Sequence, residues 1–328
     1  MTQLRILSGK EIRQAVTMSE IIAAMETAFV ELSAGRSEMP VRSHIGIAEP
    51  AGTALFMPCY LKAIKMIGIK TLTLFDDNRR NGLPYIQGMV SLLDGTTGAP
   101  VAILDGTTIT AMRTGAASGL ATKLLAREDA AVCAIFGAGV QGRTQLEAVC
   151  AVRRIKKAFV VDLCPETAKR YAEEMSRALG IEIVVAATPA EAVRHADVIC
   201  CATLSATPVF DDRDLPAGVH VNAVGSYKPH VQEIPEETVL RSRLYVDHRE
   251  SALAETGDLI IPISKGLMTQ AHIIAEIGEV AAGLAPARMS GSEITFFKSV
   301  GVAVQDLAAA AAVLKKAEAL GIGSVVEL

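Results

Sequence analysis

The spacing of apolar residues predicts alternating strands and helices in the middle of the chain. Residues 131–136 form an apolar run of strand length, and residues 140–152 follow with helical periodicity. The same alternation continues through predicted strands at 158–161, 181–185, 197–202, 219–224 and 244–246 and predicted helices at 165–179 and 189–194. Nearly continuous apolar strands that alternate with helices imply a parallel sheet covered on both faces. We therefore predict a doubly wound α/β fold for this region.

The segments on either side have a different pattern. Residues 8–33 are predicted to be helical, with a break near 17–19. Strands are then predicted at 54–61, 63–74, 85–93 and 100–104, with turns at Asn81-Gly82, Asp94-Gly95 and Asp105-Gly106. Long helices are predicted at 108–126 and, near the end of the chain, at 301–319. This pattern is typical of a separate α+β unit.

Composition and charge exclude several classes of protein. The chain has 328 residues, of which 50% are apolar, so it can bury a sizeable core, and its formal net charge is −4. It carries no basic stripe, so nucleic acid is not an expected partner. No apolar run is long enough to cross a membrane. The six histidines are scattered without ligand spacing, and no catalytic metal is expected.

The cysteines indicate the compartment. None of the six forms a C-x-x-C pair, and most lie in apolar runs, where a free thiol packs as a small hydrophobe. The first residues lack the apolar stretch of a signal peptide. We therefore expect a soluble, cytoplasmic protein in a reducing compartment.

A glycine-rich turn follows the predicted strand at 131–136. The glycines of a G-x-G-x-x-G pattern permit a tight turn, close approach of a pyrophosphate, and close packing of the helix on the strand. The helix N-terminus then offers N–H groups to the phosphates. A tight turn without a ligand is the alternative interpretation. The predicted cofactor-binding residues are Gly137, Gly139, Val140, Gln141, Gly142, Asp162, Thr203 and Gly225.

Asp162 bears on the choice between NAD and NADP. It lies twenty residues after Gly142, at the end of the next predicted strand. A carboxylate there accepts hydrogen bonds from ribose hydroxyls and repels a 2′-phosphate by on the order of 4 kcal/mol at about 4 Å and an effective dielectric near 20. No arginine follows Asp162 to hold that phosphate. NAD is therefore the expected cofactor, with NADP possible; a solvated carboxylate that caps the helix is the alternative role.

Several segments together resemble the ornithine cyclodeaminase/mu-crystallin family, which includes alanine dehydrogenases and ketimine reductases. The resemblance covers nearly the whole chain, and the stretch Arg113-Thr-Gly-Ala followed by the glycine turn is its most specific part. The other matching segments are 39–44, 55–58, 68–70, 82–84, 105–117, 264–266, 277–280 and 301–306. The resemblance implies a Rossmann-type nucleotide domain (126–299) inserted into a smaller α+β domain (1–125 with 300–328) that binds substrate and forms a homodimer.

Three basic residues are the candidates for chemistry. Arg113 gains nothing from the dipole at the start of its predicted helix, so an inward-facing guanidinium there needs an anion, and a carboxylate fits it. A surface or interdomain salt bridge is the alternative, for Arg113 and Arg42 alike. The resemblance implies that both arginines bind the substrate α-carboxylate and that Lys70 is the active-site lysine. A solvent-reaching strand lysine is the alternative for Lys70.

Tyr227 marks a departure from the family. The resemblance implies that cyclodeaminases and alanine dehydrogenases carry an aspartate at this position, whereas ketimine reductases lack it. Reduction of an imine needs a hydride and a proton but no base to activate water. We therefore expect an NAD(P)H-dependent reductase of cyclic or open imines of 2-oxo acids, such as pyrroline-2-carboxylate or piperideine-2-carboxylate, with Tyr227 in the substrate-binding set.

Two other functions stay open. An ornithine cyclodeaminase would release ammonia with bound NAD and would need a carboxylate in place of the missing aspartate; Glu233 and Asp258 are candidates by their position in the sequence. A non-catalytic, mu-crystallin-like protein would bind a small ligand without turnover. In every case we expect the three basic residues to converge near the nicotinamide ring.

Overall fold

The computed structural model describes residues 3–40 and 42–328. Its strands are β1 (Gln3–Leu7), β2 (Ser37–Glu38), β3 (Ser43–Ile47), β4 (Gly52–Leu61), β5 (Met66–Phe75), β6 (Ile86–Asp94), β7 (Pro100–Asp105), β8 (Val132–Phe136), β9 (Lys157–Val161), β10 (Glu182–Val185), β11 (Val198–Cys201), β12 (His220–Ala223), β13 (Arg243–Val246), β14 (Ile273–Glu276), β15 (Thr295–Lys298) and β16 (Ser324–Glu327). Its helices are α1 (Gly9–Ala15), α2 (Met18–Ser33), α3 (Gly106–Leu125), α4 (Val140–Val152), α5 (Pro165–Leu179), α6 (Pro189–Arg194), α7 (Glu236–Arg241), α8 (Arg249–Glu255), α9 (Gly257–Ser264), α10 (Ile277–Ala281) and α11 (Ala303–Leu320). Among these helices, none has the length and apolar composition that a membrane crossing requires.

The chain divides into two units. Unit 1 comprises the residues up to Arg113 together with Val302–Leu328, and unit 2 comprises Thr114–Gly301. The first division falls inside α3, whereas the resemblance implies a division after the helix, at residue 125. The second half of α3 belongs to unit 2 because Gly115 lets it approach α4: a Cβ at Gly115 would lie 2.4 Å from the carbonyl oxygen of Thr144.

Unit 1 is built on a mixed sheet with the strand order β16-β1-β7-β6-β5-β4-β2, and β3 also pairs with β4. Strands β4 to β7 form an antiparallel meander. The Ala-rich helix α11 packs on β4, β5 and α2. It lies especially close to β5 at Gly68, where a Cβ would be 2.7 Å from the Leu307 Cδ1 atom. This close packing sets the first turn of α11 beside the middle of β5.

Two capped helices open unit 1. Thr17 breaks the helical pattern and caps α2, with its side chain accepting from the Glu20 N–H and the Glu20 carboxylate bonding back to Thr17. Ser8 and Glu11 form the same capping box on α1. The break expected near 17–19 is therefore confirmed, and it is a helix start.

Unit 2 is a parallel sheet with the order β10-β9-β8-β11-β12-β15-β13-β14. Alternate residues of β8 enter different cores: Ala134 and Phe136 belong to one cluster and Cys133 and Ile135 to the other. Helices therefore cover both faces, and the predicted doubly wound α/β fold is confirmed. Strand order reverses between β8 and β11, and ligands of such sheets bind outside the carboxyl ends of the strands at that point.

The strands β14 and β15 were missed by the pattern of apolar residues. Each has four residues, and β15 ends in Lys298, which is fully buried. In so short a segment, a lysine at the end interrupts the apolar pattern by which a buried strand is recognised. The turn expected at Asp105-Gly106 is instead the start of α3, where the Asp105 carboxylate accepts from the Thr108 N–H at 2.7 Å.

Candidate active site

The turn between β8 and α4 has the glycine geometry expected of a dinucleotide site. Gly137 has a φ of +95°, and a Cβ there would lie 2.5 Å from the carbonyl oxygen of Ala202. A Cβ at Gly142 would lie 2.0 Å from the Gly137 carbonyl oxygen. Both positions therefore require glycine, the first for its backbone conformation and the second for the close crossing of strand and helix.

Gly139 has open space where the other two glycines are crowded. A Cβ at this position would meet nothing within 4 Å. Gly139 is also the N-cap of α4, and no side chain caps this helix, so the first-turn N–H groups, including those of Val140 and Gln141, are not held by a side-chain cap. An uncapped thirteen-residue helix behind a side-chain-free turn fits the pyrophosphate of a dinucleotide.

Asp162 ties the end of β9 to this turn. Its Oδ2 accepts from the Ala138 N–H at 2.8 Å, and its Oδ1 accepts from the Cys164 N–H at 2.9 Å. Each carboxylate oxygen has a further lone pair that can accept from a ribose hydroxyl. Asp162 thus has a structural role in unit 2 that leaves room for the predicted role in cofactor choice.

Asp162→Asn is expected to shift cofactor preference toward NADPH. The substitution removes the charge that repels a 2′-phosphate and retains one amide oxygen for the Ala138 N–H. Because solvent screens a half-buried carboxylate, we expect the ratio of kcat/KM for NADPH to that for NADH to rise about tenfold to a hundredfold, less than the unscreened repulsion would give. Steady-state kinetics with both cofactors measure this ratio.

The matched control is Asp129→Asn, an equal change of charge in unit 2 at a carboxylate whose side chain is 81% exposed. This variant should leave the NADPH-to-NADH ratio as it is in the unsubstituted protein. An Asp162→Asn variant that also kept the original ratio would show that Asp162 serves the turn and not the choice of cofactor.

The other two predicted cofactor residues, Thr203 and Gly225, follow β11 and β12 and share one buried partner, Glu233. The Thr203 N–H and hydroxyl donate to Glu233 Oε1 at 2.6 Å and 2.7 Å. The Gly225 N–H donates to Glu233 Oε2 at 2.9 Å. Burial raises the pKa of Glu233, with the Lys298 charge opposing that rise. Glu233 therefore holds the two loops at the carboxyl ends of adjacent strands.

Asp258 has a similar structural role. Its Oδ1 accepts from the N–H groups of Glu233 and Ile234 at 2.6 Å and 3.1 Å, and its Oδ2 pairs with Lys298 Nζ at 2.9 Å. Both ends of this ion pair are fully buried. Glu233 and Asp258 are thus engaged within unit 2, which weakens the hypothesis that either one replaces the aspartate missing at Tyr227.

Tyr227 lies in the loop after β12, in unit 2. Its side chain is 40% exposed, and the Lys228 Nζ lies 5.8 Å from the centre of its ring. It therefore belongs to the same unit as the predicted cofactor residues, whereas the three basic candidates belong to unit 1. Its place in the substrate-binding set stays a prediction.

Lys70 and Arg113 come together around Asp306. The Asp306 Oδ2 pairs with Lys70 Nζ at 2.6 Å, and its Oδ1 accepts from Arg113 Nε at 2.9 Å. The amide oxygen of Gln305 accepts from Arg113 Nη1, also at 2.9 Å. β5, α3 and α11 supply these residues, and all four side chains are buried: Lys70, Arg113, Gln305 and Asp306 are 3%, 6%, 0% and 1% exposed.

The charges of this cluster do not cancel. Burial lowers the pKa of Lys70 most, Asp306 raises it and Arg113 lowers it further, with a resulting pKa of about 8. Burial would raise the pKa of Asp306, but the charges of Arg113 and Lys70 outweigh it and hold that pKa below its usual value. Two cations around one carboxylate leave a net positive charge below about pH 8. Such a buried cluster favours an anion, and its lysine can release a proton near neutral pH.

Arg42 lies just before β3 and is half-buried. Its charge contributes to the lowered pKa of Lys70, which places the guanidinium within electrostatic range of the ammonium. Its neighbour Val41, part of the matched segment 39–44, lies outside the described residues. Arg42 is thus associated with the Lys70 cluster, while Arg113 bonds to it directly.

Asp306 and Gln305 were missed as site residues. The segment 301–306 contributed to the resemblance, yet neither side chain was assigned a role. A signal was present: both are polar residues at the start of an otherwise apolar, Ala-rich helix, and both are buried. Arg113 does form a salt bridge, with Asp306, but this pair is buried and lies within unit 1, so the alternative of a surface or interdomain salt bridge is wrong for Arg113.

The geometry defines a two-unit α/β protein with a dinucleotide-type turn and a separate buried cationic cluster. The model of the ornithine cyclodeaminase/mu-crystallin family matches residues 3–320. The chain belongs to this family, as its resemblance implied.

Individual relatives align over nearly the whole chain. A Delta(1)-pyrroline-2-carboxylate reductase of Bacillus cereus is 40% identical, with 98% of this chain and 99% of the relative covered. The structure of the Thermococcus litoralis Delta(1)-pyrroline-2-carboxylate reductase in complex with NADH and L-proline is 43% identical, with a TM-score of 0.93 and coverage of 98% and 99%. An archaeal alanine dehydrogenase dimer with bound NAD is 32% identical, with a TM-score of 0.91 and coverage of 99% of each chain.

Proposed function

We propose that the protein is an NAD(P)H-dependent reductase of imines of 2-oxo acids, with pyrroline-2-carboxylate or piperideine-2-carboxylate as substrate and an L-amino acid as product. The observation that carries this proposal is the buried cluster in which Asp306 holds Lys70 and Arg113. The two pyrroline-2-carboxylate reductases at 40% and 43% identity support the same chemistry.

Arg113 binds the substrate carboxylate. Its Nε and Nη1 are used by Asp306 and Gln305, and its Nη2 makes no hydrogen bond to any part of the chain that the structure describes. A guanidinium with a free amino group in a net cationic cluster attracts a small acid. Arg42 adds positive charge and is the second proposed carboxylate ligand.

Lys70 supplies the proton. The imine C=N bond accepts a hydride at carbon and a proton at nitrogen to become an amine. When bound, the reduced nicotinamide supplies that hydride. Lys70, with a pKa of about 8, carries a proton at neutral pH and releases it more readily than an exposed lysine. No carboxylate is needed to activate water, which agrees with a tyrosine at position 227.

The cofactor and assembly are part of the proposal. Gly137, Gly139 and Gly142 with the first turn of α4 hold the pyrophosphate, and Asp162 favours NADH. Unit 1 serves as the substrate and dimerisation domain, and unit 2 as the nucleotide domain. The dimer of the alanine dehydrogenase supports a homodimer here, as do exposed apolar side chains of unit 1 such as Ile45 and Met89. A cytoplasmic location is supported by six free cysteines.

The decisive experiment is an assay of the purified protein with pyrroline-2-carboxylate and NADH. We expect NADH absorbance to fall and proline to accumulate in equal amounts. Release of ammonia from ornithine without net oxidation of the cofactor would indicate a cyclodeaminase instead. Tight binding of NADH without turnover of any imino acid would indicate a binding protein.

A further inference from the structure

Gln305 has one half of its amide fixed and the other half without a partner. The residue lies in the first turn of α11 and is fully buried. Its Oε1 accepts from Arg113 Nη1 and from the Val302 N–H, both at 2.9 Å. Its Nε2 finds no hydrogen-bond partner within residues 3–40 and 42–328.

The orientation of this amide cannot be reversed. Two donors point at the Oε1 position, so a flipped amide would place its NH2 group against two N–H groups. The oxygen is therefore committed to Arg113 and the helix start, and the NH2 group must point elsewhere. A buried donor without an acceptor is costly, so such a group calls for an acceptor from outside the chain.

We propose that Gln305 is a substrate-binding residue whose Nε2 donates to an oxygen of the substrate carboxylate beside Arg113. This inference rests on the proposed function. Nε2 belongs to the same amide that Arg113 holds, so an anion that reaches the guanidinium also reaches the neighbourhood of this donor. The substrate carboxylate thereby satisfies both groups.

The carboxylate is a better partner for Nε2 than the imine nitrogen. The nitrogen carries a proton when the imine is ready for hydride, and an N–H group cannot accept from another N–H group. Carboxylate oxygens only accept, and they have enough lone pairs for Arg113 and Gln305 together. A neutral glutamine also preserves the net positive charge that Lys70, Arg113 and Asp306 create.

Gln305→Glu tests the NH2 half of the amide separately from the oxygen half. The variant keeps an oxygen for Arg113 and Val302, replaces the NH2 donor with an acceptor, and adds one negative charge. The probe is pyrrole-2-carboxylate, a flat ring that carries the carboxylate and cannot be reduced in the assay. We expect its Kd, measured by calorimetry on the protein saturated with NADH, to rise about tenfold to a hundredfold. The Kd for NADH should not change.

Two further variants make the result interpretable. Gln270→Glu adds the same charge at an exposed glutamine and should leave the Kd for pyrrole-2-carboxylate unchanged. Gln305→Met removes both the donor and the oxygen that accepts from Arg113 and Val302, without adding charge, and it should weaken the same binding even if Gln305→Glu fails to fold. If folded Gln305 variants bind the probe with a Kd within about threefold of that of the unsubstituted protein, Nε2 donates to a water molecule and the inference is wrong.

The binding experiment also distinguishes this inference from the proposed function. Binding of the probe requires no turnover. An unsubstituted protein that binds pyrrole-2-carboxylate but does not oxidise NADH with pyrroline-2-carboxylate overturns the reductase proposal and leaves the role of Gln305 measurable. An unsubstituted protein that binds no carboxylate at all overturns both.

Discussion

Asp306→Asn is expected to lower kcat/KM for imine reduction at least tenfold at pH 8 and to destabilise the protein. Among the residues that the structure describes, Asp306 is the one whose carboxylate contacts both Lys70 and Arg113, at 2.6 Å and 2.9 Å. An asparagine has one oxygen acceptor and no charge, so two buried cations lose their counterion. Removing one partner of a buried ion pair typically costs about 3–5 kcal/mol, because the remaining charge is left uncompensated.

The pH profile of kcat/KM should shift in one direction, toward lower pH. Lys70 has a pKa of about 8, and Asp306 acts to raise it, so the asparagine variant has a lower Lys70 pKa. A lysine that donates a proton must be protonated, and the decline of kcat/KM at high pH should therefore begin at a lower pH in the variant. Each unit by which the pKa falls corresponds to about a tenfold loss at a fixed pH above it.

The free energy of unfolding should change with pH in the direction opposite to that of kcat/KM. The folded-state pKa of Lys70 lies below its ordinary value of 10.5, so between the two values the unfolded chain binds more protons and stability rises with pH. Asp306→Asn widens that interval toward lower pH. The variant should regain activity as the pH falls while it loses free energy of unfolding, and both can be measured on one preparation.

Asp77→Asn is the matched control, since it removes a carboxylate of unit 1 whose side chain is 58% exposed in a pair with Arg80. Its pH profile and free energy of unfolding should follow the unsubstituted protein. An Asp306→Asn variant with an unshifted pH profile would mean that Lys70 does not donate the proton, even if kcat/KM falls.

The cofactor turn could be predicted from sequence because its parts are close along the chain. One strand, three glycines and one helix supply the geometry, and Asp162 follows at the end of the next strand. Gly137 is required by its backbone conformation, with a φ of +95°, and Gly142 is required by the close crossing of strand and helix. The parallel strands of unit 2 were predictable for a similar reason, since apolar runs mark strands that are buried on both faces.

The cationic cluster could only be predicted in part. Arg113 and Asp306 are 193 residues apart, and no pattern in one sequence pairs a guanidinium with one carboxylate among many. The unit boundary inside α3 has no mark in the sequence, because the helix continues without interruption through Arg113 and Thr114. The exposed edge strand β16, which pairs with β1, lacks the alternation that marks a half-buried strand. These features are decided by tertiary packing.

Gly139→Ala is expected to abolish measurable NADH binding while leaving the fold intact. Beyond its two chain neighbours, its Cβ would meet no atom of the described residues within 4 Å, so the variant has no reason to lose stability. The added methyl group would instead occupy the space in front of the uncapped α4 helix, where the backbone must approach a pyrophosphate closely. We expect the Kd for NADH to rise at least a hundredfold, with the free energy of unfolding unchanged in the absence of cofactor.

Gly142→Ala provides the contrast, since its Cβ would lie 2.0 Å from the Gly137 carbonyl oxygen and something in the backbone must move. This variant should lose NADH binding and also unfold more easily, because the strand and the helix can no longer cross at the same distance. Gly291→Ala, another open position of unit 2, should change neither property. If Gly139→Ala binds NADH as tightly as the unsubstituted protein, the open space at this turn does not hold the pyrophosphate, and the cofactor lies elsewhere on unit 2.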